Sequence, residues 1–186
     1  PPVHDLVTDK YLMTLNYPVV SVNMLAINEA LDQVYDETNV DSTRAFGGAT
    51  WAAQKFKAGY TKPLVRASFP FYYNTSTAAA ITVGLYADSS GPSGSALATA
   101  TISAISATTT QMYDAVFLSP YQLTAGVSYW LVISSAASGS TSTYKLGIDA
   151  SSPTYASGNI SVSANSGGAW TADTTKCAIF NTYTAE

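Results

Sequence analysis

The side chains able to do chemistry are few and scattered. His4 is the one histidine and Cys177 the one cysteine. A Ser-His-Asp or Cys-His relay would have to recruit its base from a Pro-flanked terminal arm, and a transition-metal site would lack nitrogen and sulfur ligands. Four carboxylates are spread over the later part of the chain: Asp88, Asp114, Asp149 and Asp173. Glycoside hydrolysis needs two of them facing each other across a cleft, and nothing in their spacing brings any two together. Each falls near a turn or strand end, where Asp ordinarily shapes the turn. Calcium at such a loop would draw on loop carbonyls, but no Asp-x-Asp-x-Asp run is present to anchor it. Gly91-Pro92-Ser93-Gly94 has no following Lys and so is a turn rather than a phosphate loop. The sequence therefore reads as non-enzymatic, with no cofactor and no metal.

Aromatic rings offer the one ligand hypothesis with content. Tyr155 and Trp170 lie in Ser/Gly-rich loops, where flat rings beside hydroxyls and amides can stack on sugars. The competing reading has Trp170 plugging the end of a sandwich and Tyr155 covering a loop, because such rings are usually well buried. Asn74-Thr75-Ser76 and Asn159-Ile160-Ser161 match the glycosylation pattern, which matters only after passage through a eukaryotic secretory route.

Charge narrows the partners. Residues 67–186 carry only seven charged side chains, and charged residues make up 11% of the whole, against roughly a quarter in ordinary soluble domains. Ser and Thr, 23 of each, take their place; short hydroxyl side chains solubilise a pleated surface with little loss of rotamer entropy. The net charge of −4 is concentrated in residues 1–50, and no basic stripe exists to neutralise phosphates or an anionic membrane. Nucleic acid and membrane surfaces are thus excluded as expected partners, and no run of 18 apolar residues suggests a span. A single cysteine rules out an intrachain disulfide, so the domain must hold by packing, with Cys177 as a buried structural thiol.

The elements that would position these residues follow from periodicity. Val20, Met24, Ile27, Leu31 and Val34 are spaced 4-3-4-3, which predicts a helix over 22–36 with Ser21 as its N-cap. Residues 1–20 read as an extended arm and Asn39–Thr50 as a linker. After Thr50, alternating β-branched and aromatic residues broken by Gly, Ser and Pro turns predict eight or nine strands. Asp88 to Gly94 is a turn on every criterion. Pro70 places its strand at an edge or a bulge. The fold class is mainly β: an antiparallel β-sandwich, jelly-roll-like, preceded by a short N-terminal arm and α-helix. The division is 1–46 for attachment or oligomerisation and 47–186 for the sandwich.

In the strand around 129–133, Tyr129, Leu131 and Ile133 can face the core, leaving Trp130 and Val132 pointing outward and in need of cover. The helix, the arm or a neighbouring subunit could supply it. Met24, Ile27, Leu31, Val34 and Trp130 are accordingly the expected assembly residues. Their partners would be other copies, a trimer first, and a larger particle protein. The competing account folds the same stripe back over Trp130 within one chain.

The succession of Gln54-x-Phe56, the segment Leu85 to Ala98, the segment Leu123 to Ile133, and Trp170 before a final strand resembles a small jelly-roll-like β-sandwich domain. Such domains recur in bacterial surface-anchored proteins and in tailed-phage virion proteins, and the resemblance spans about residues 51–183. Its motifs are turn and core signatures, so it implies an architecture and brings no catalytic residues. No sorting signal, wall anchor or apolar leader is read in the sequence, which tips the expectation to the virion branch. The expected protein is a capsid decoration, head-fibre, tail or baseplate component located in the virion. The alternative is a secreted or surface carbohydrate-binding module.

Overall fold

The computed structural model describes residues 28–74, 78–137 and 144–186. They form β1 (Glu29–Tyr35), β2 (Ser42–Phe46), β3 (Trp51–Lys57), β4 (Pro63–Tyr73), β5 (Ile81–Asp88), β6 (Pro92–Ile102), β7 (Gln111–Gln122), β8 (Ser128–Ser135), β9 (Tyr144–Asp149), β10 (Ile160–Ser163), β11 (Thr171–Asp173), β12 (Cys177–Ala178) and β13 (Phe180–Ala185). Every pairing between them is antiparallel. The first sheet runs β1-β13-β4-β9-β12, with β7 added to β4 and β2 to β9; the second runs β11-β10-β3-β8-β5-β6. The expected mainly-β, two-sheet sandwich is what forms.

Its core is aromatic. All six phenylalanines, Phe46, Phe56, Phe69, Phe71, Phe117 and Phe180, are buried in one cluster that draws on both sheets. Phe56 of the second sheet meets Phe180 of the first at 6.4 Å between ring centres, and Phe69 stacks on Phe71 at 5.6 Å. Inward Ile81, Val83 and Leu85 alternate with Thr82, Gly84 and Tyr86 on β5, as period 2 demands. With no disulfide available, this burial is the dominant favourable term holding the sheets together.

The predicted helix does not form over the described part of its range. Residues 29–35 are strand β1, hydrogen-bonded to β13; residues 22–27, including Met24 and Ile27, lie outside the described residues. A β-bulge accounts for the misleading period. Leu31 pairs with Tyr183 and Gln33 with Thr182, so Asp32 is the extra residue on β1. The bulge resets the alternation, and Leu31 and Val34, three apart, emerge on one face. Asp32 holds it in place: its carboxylate accepts from the Gly59 and Tyr60 amides at 2.9 and 3.1 Å and from the Thr182 hydroxyl at 3.3 Å. Among the described residues the helical structure is a single 3-10 turn, Glu37–Asn39, capped by Asp36.

The linker expected over 39–50 also resolves into structure. Ser42–Phe46 pairs with β9, and Phe46 is fully buried against Phe71 and Tyr144. Residues 29–46 therefore belong to the first sheet rather than to a separate attachment unit. Pro70 is not at an edge. β4 pairs with β7 along one side; along its run, β13 pairs last at Ser68 and β9 first at Phe71. The missing N–H falls in the gap between two successive partners, where no ladder bond is lost.

Candidate functional site

The two outer faces of the sandwich are the surfaces on which recognition can occur, and they are built differently. On the second sheet, β3 and β8 place Lys55 opposite Trp130 and Ala53 opposite Val132, while β5 places Tyr86 on the other side of Trp130. Trp130, Val132 and Ala53 form a small buried cluster covered by Trp51, Tyr86 and Trp170. All three tryptophans of the chain thus meet on one face. The cover that Trp130 requires comes from this chain's own strands and from the loop before β11. Among the described residues no helix contributes to it, and Trp130 is 3% exposed.

Polar groups fix this cluster. The Trp130 indole N–H donates to Asp88 Oδ1 at 2.7 Å, and Lys55 Nζ bridges to Asp88 Oδ2 at 2.6 Å, lying 5.8 Å from the Trp130 ring centre. Burial pushes the Asp88 carboxyl upward, but the hydrogen bonds from Lys55 and Trp130 outweigh it and hold it below the usual carboxylate range. The covering loop is tied internally: Ser163 Oγ accepts from the Gly167 amide at 2.9 Å, and Asn165 Oδ1 from the Ala169 amide at 2.8 Å. Gly167 has φ +86°, and a Cβ there would approach Trp51 Cζ3 to 2.8 Å. Only glycine fits between that backbone and the indole.

Tyr155 does not join Trp170. It packs against the main core with its ring edge-on to Phe180 at 5.1 Å, and its hydroxyl donates to Gln33 Oε1 at 3.0 Å. Burial pushes its hydroxyl up to about 12. The loop beneath it is held by carboxylates: Asp149 accepts from the Ser151 and Ser152 amides and from the Tyr35 hydroxyl, and Asp41 from the Ala150 and Ser151 amides. Tyr155 and Trp170 therefore do not line a common groove. Of the two, Trp170 lies on an aromatic surface. Of the residues around it, Trp51 and Lys55 were not singled out from the sequence, although the alternation Trp51-Ala53-Lys55 against Ala52-Gln54-Phe56 contains the signal.

The outer face of the first sheet is the less covered one. Read across strands in register, one row holds Leu31, Tyr183, Arg66 and Val116, and the next Val34, Asn181, Ser68 and Asp114. Arg66 lies over the Tyr183 ring at 3.6 Å and bridges Glu29 at 2.7 Å and Asp114 at 3.0 Å. Burial alone would lower the Arg66 pKa, yet the two carboxylates raise it, so this spine stays charged and internally paired. On either side are aliphatic groups in the open: Leu31, Val34 and Val116 are each about half exposed and Leu118 is 92% exposed. They are four of the six large hydrophobic residues exposed among the described residues. Leu118 lies where β7 bulges away from β4, since four β7 residues, 117–120, intervene between the partners of Leu64 and Arg66. Beside it a hollow of about 430 Å³ is lined by β6 residues Ala96 to Thr101 and by Val116, Leu118 and Ser119.

Among the described residues no three His, Cys, Asp or Glu side chains gather in a metal-holding group. Asp114 bonds Ser68 and Arg66 on the first sheet, Asp88 serves the second, and Asp173 accepts from Thr175 and Lys176, which hold its carboxyl down at about 2. Cys177 is buried, with its thiol directed at the Gly158 carbonyl 3.1 Å away, and burial raises it to about 11. Such a thiol stays protonated and unreactive at neutral pH. Compared with known proteins, the chain matches no family model, and no curated protein matches it.

Proposed function

We propose that this chain is a non-enzymatic structural protein of a tailed-phage particle: a capsid decoration, head-fibre, tail or baseplate component that displays a jelly-roll-like sandwich. The first-sheet face and the residues leading into it form the attachment surface. The observation that carries the reading is the set of exposed aliphatic side chains on this sheet, Leu31, Val34, Val116 and Leu118. They flank the paired charges of Glu29, Arg66 and Asp114, and such a patch on a charge-poor domain marks a contact surface. The partners are a larger particle protein and other copies of the chain, a trimer first, and the location is the virion. Two measurements test this. Antibody raised to the chain should decorate purified particles from the culture that encodes it, and unlabelled particles beside a labelled soluble fraction would sink the reading. Light scattering of the full chain at two concentrations should give a trimer mass, and a monomer at both removes the trimer alone.

The second reading, a secreted or surface carbohydrate-binding module, draws on the three tryptophans beside Lys55 and Asp88. A glycan array decides it: micromolar binding that is lost in Trp170→Ala would place this reading first.

A further inference from the structure

We infer that the side of the sandwich between β2 and β11 is a binding site for the carboxylate of an acidic sugar, with Arg44 reading the anion. The site uses none of the exposed aliphatic residues of the first sheet and does not rest on the attachment role proposed above.

Strand register brings its residues together. β2 and β11 are edge strands of the two sheets, β2 paired with β9 and β11 with β10. Arg44 has the parity of buried Phe46, two residues on. Thr171 and Asp173 pair with Val162 and Ile160, and Ile160 belongs to the main core. Opposed residues of an antiparallel pair share a face, so these side chains turn toward the space between the sheets. There Arg44 bridges Asp173 at 3.3 Å, the one ion pair among the described residues that joins a strand of each sheet. Beside it lies a hollow of about 380 Å³ lined by Arg44, Val162, Thr171, Asp173, Thr174 and Thr175, a size suited to a small ligand.

The charge in this corner is unbalanced. Asp173 is already held by Lys176 and by the Thr175 hydroxyl, each at 2.7 Å, and Arg44 meets the same Oδ2 as Lys176 from farther away. Two cations thus share one carboxylate. Asp149 on β9 does not make up the difference, because the Tyr35 hydroxyl and the Ser151 and Ser152 amides occupy it. Arg44 spends one loose N–H on Asp173, and its buried Nε–H has no acceptor among the described residues. A guanidinium carries five donors in a planar fork that matches the two coplanar oxygens of a carboxylate. One unit of excess positive charge suits a singly charged group better than a phosphate monoester. The remaining lining suits a sugar ring: Thr171 and Thr174 offer exposed hydroxyls to its hydroxyl groups, and half-buried Val162 offers an apolar wall to its C–H face.

The test titrates the isotope-labelled full chain with methyl glucuronide and follows amide shifts by NMR. The amides of residues 171–175 and the Arg44 Nε–H should move along a saturable curve with Kd about millimolar. Methyl glucoside, the same ring without the carboxylate, and acetate, the carboxylate without the ring, should each bind about tenfold more weakly or worse. Arg44→Gln should lose the response. Because that change also removes the bridge between the sheets, exposed Thr174→Val serves as the second variant. It leaves Arg44 and Asp173 in place and should weaken the glucuronide by about threefold or more while leaving acetate unchanged. The inference is overturned by no saturable shift at these amides, or by saturable shifts centred elsewhere. An equal response to the glucoside means that charge is not read, and an equal response to acetate, or unchanged binding in Thr174→Val, means that the sugar is not read; each overturns it too, as does full binding in Arg44→Gln.

Discussion

The second sheet seals its outward tryptophan with its own side chains, whereas the first leaves Leu31, Val34, Val116 and Leu118 in the open. The two faces have the same problem, apolar groups on the water side of a sheet, and solve it by different means. Trp130 has a built cover: a glycine-bearing loop with its own hydrogen bonds, a half-buried Asp88 acceptor and a lysine. Exposed aliphatics beside a salt-bridged arginine have no such construction among the described residues. A sandwich that packs the outer face of one sheet and leaves aliphatic groups bare on the other is consistent with the contact role proposed for the bare face.

That contrast can be broken, first and most forcefully, at Trp130. Trp130→Ala removes the centre of the covered cluster and leaves Asp88 and Lys55 without the indole, so stability should fall by about 3–5 kcal/mol. Chemical denaturation measures it, and a loss comparable to that of a surface substitution would mean that the cluster is not structural. Gly167→Val tests the cover itself. A side chain at φ +86° against Trp51 should cost about 1–3 kcal/mol, with a shift in tryptophan fluorescence.

Asp32 sharpens the comparison from the other side, because its bulge is what aims Leu31 and Val34 outward. Asp32→Ala should cost about 1–2 kcal/mol through loss of its acceptors for Gly59, Tyr60 and Thr182, whereas Asp32→Asn keeps an oxygen for the two amides and should cost less. Burial raises the Asp32 carboxyl above the usual aspartate range despite those donors. The folded state therefore binds this proton more tightly than the unfolded one. The group's contribution is fully present below the unfolded aspartate pKa and is lost as pH rises through the raised folded value. Wild type should gain stability relative to Asp32→Asn as pH is lowered through that window, and the opposite slope would contradict the assigned shift.

The smallest effect belongs to the open face. Leu118→Ser should change sandwich stability by less than about 1 kcal/mol while weakening whatever the face holds. A large drop in the denaturation midpoint would show Leu118 to be core after all.

The sequence by itself determined the class of fold and the presence of a turn after Asp88, which the structure narrows from Asp88–Gly94 to Ser89–Gly91 between β5 and β6. These rest on local alternation and turn chemistry, which period-2 burial makes readable residue by residue. It also determined that Trp130 would need a cover. Tertiary structure alone decided what that cover is, because Trp51, Tyr86 and Trp170 are far apart in sequence and meet only through strand register. Only the fold could show Tyr155 and Trp170 on different surfaces. It likewise turned the apparent heptad of Leu31 and Val34 into a bulged strand: a one-residue insertion in an antiparallel ladder gives two outward side chains three apart, the same local spacing as a helix face. What distinguishes the two is the partner, β13, almost the whole length of the chain away, and no local pattern carries that information.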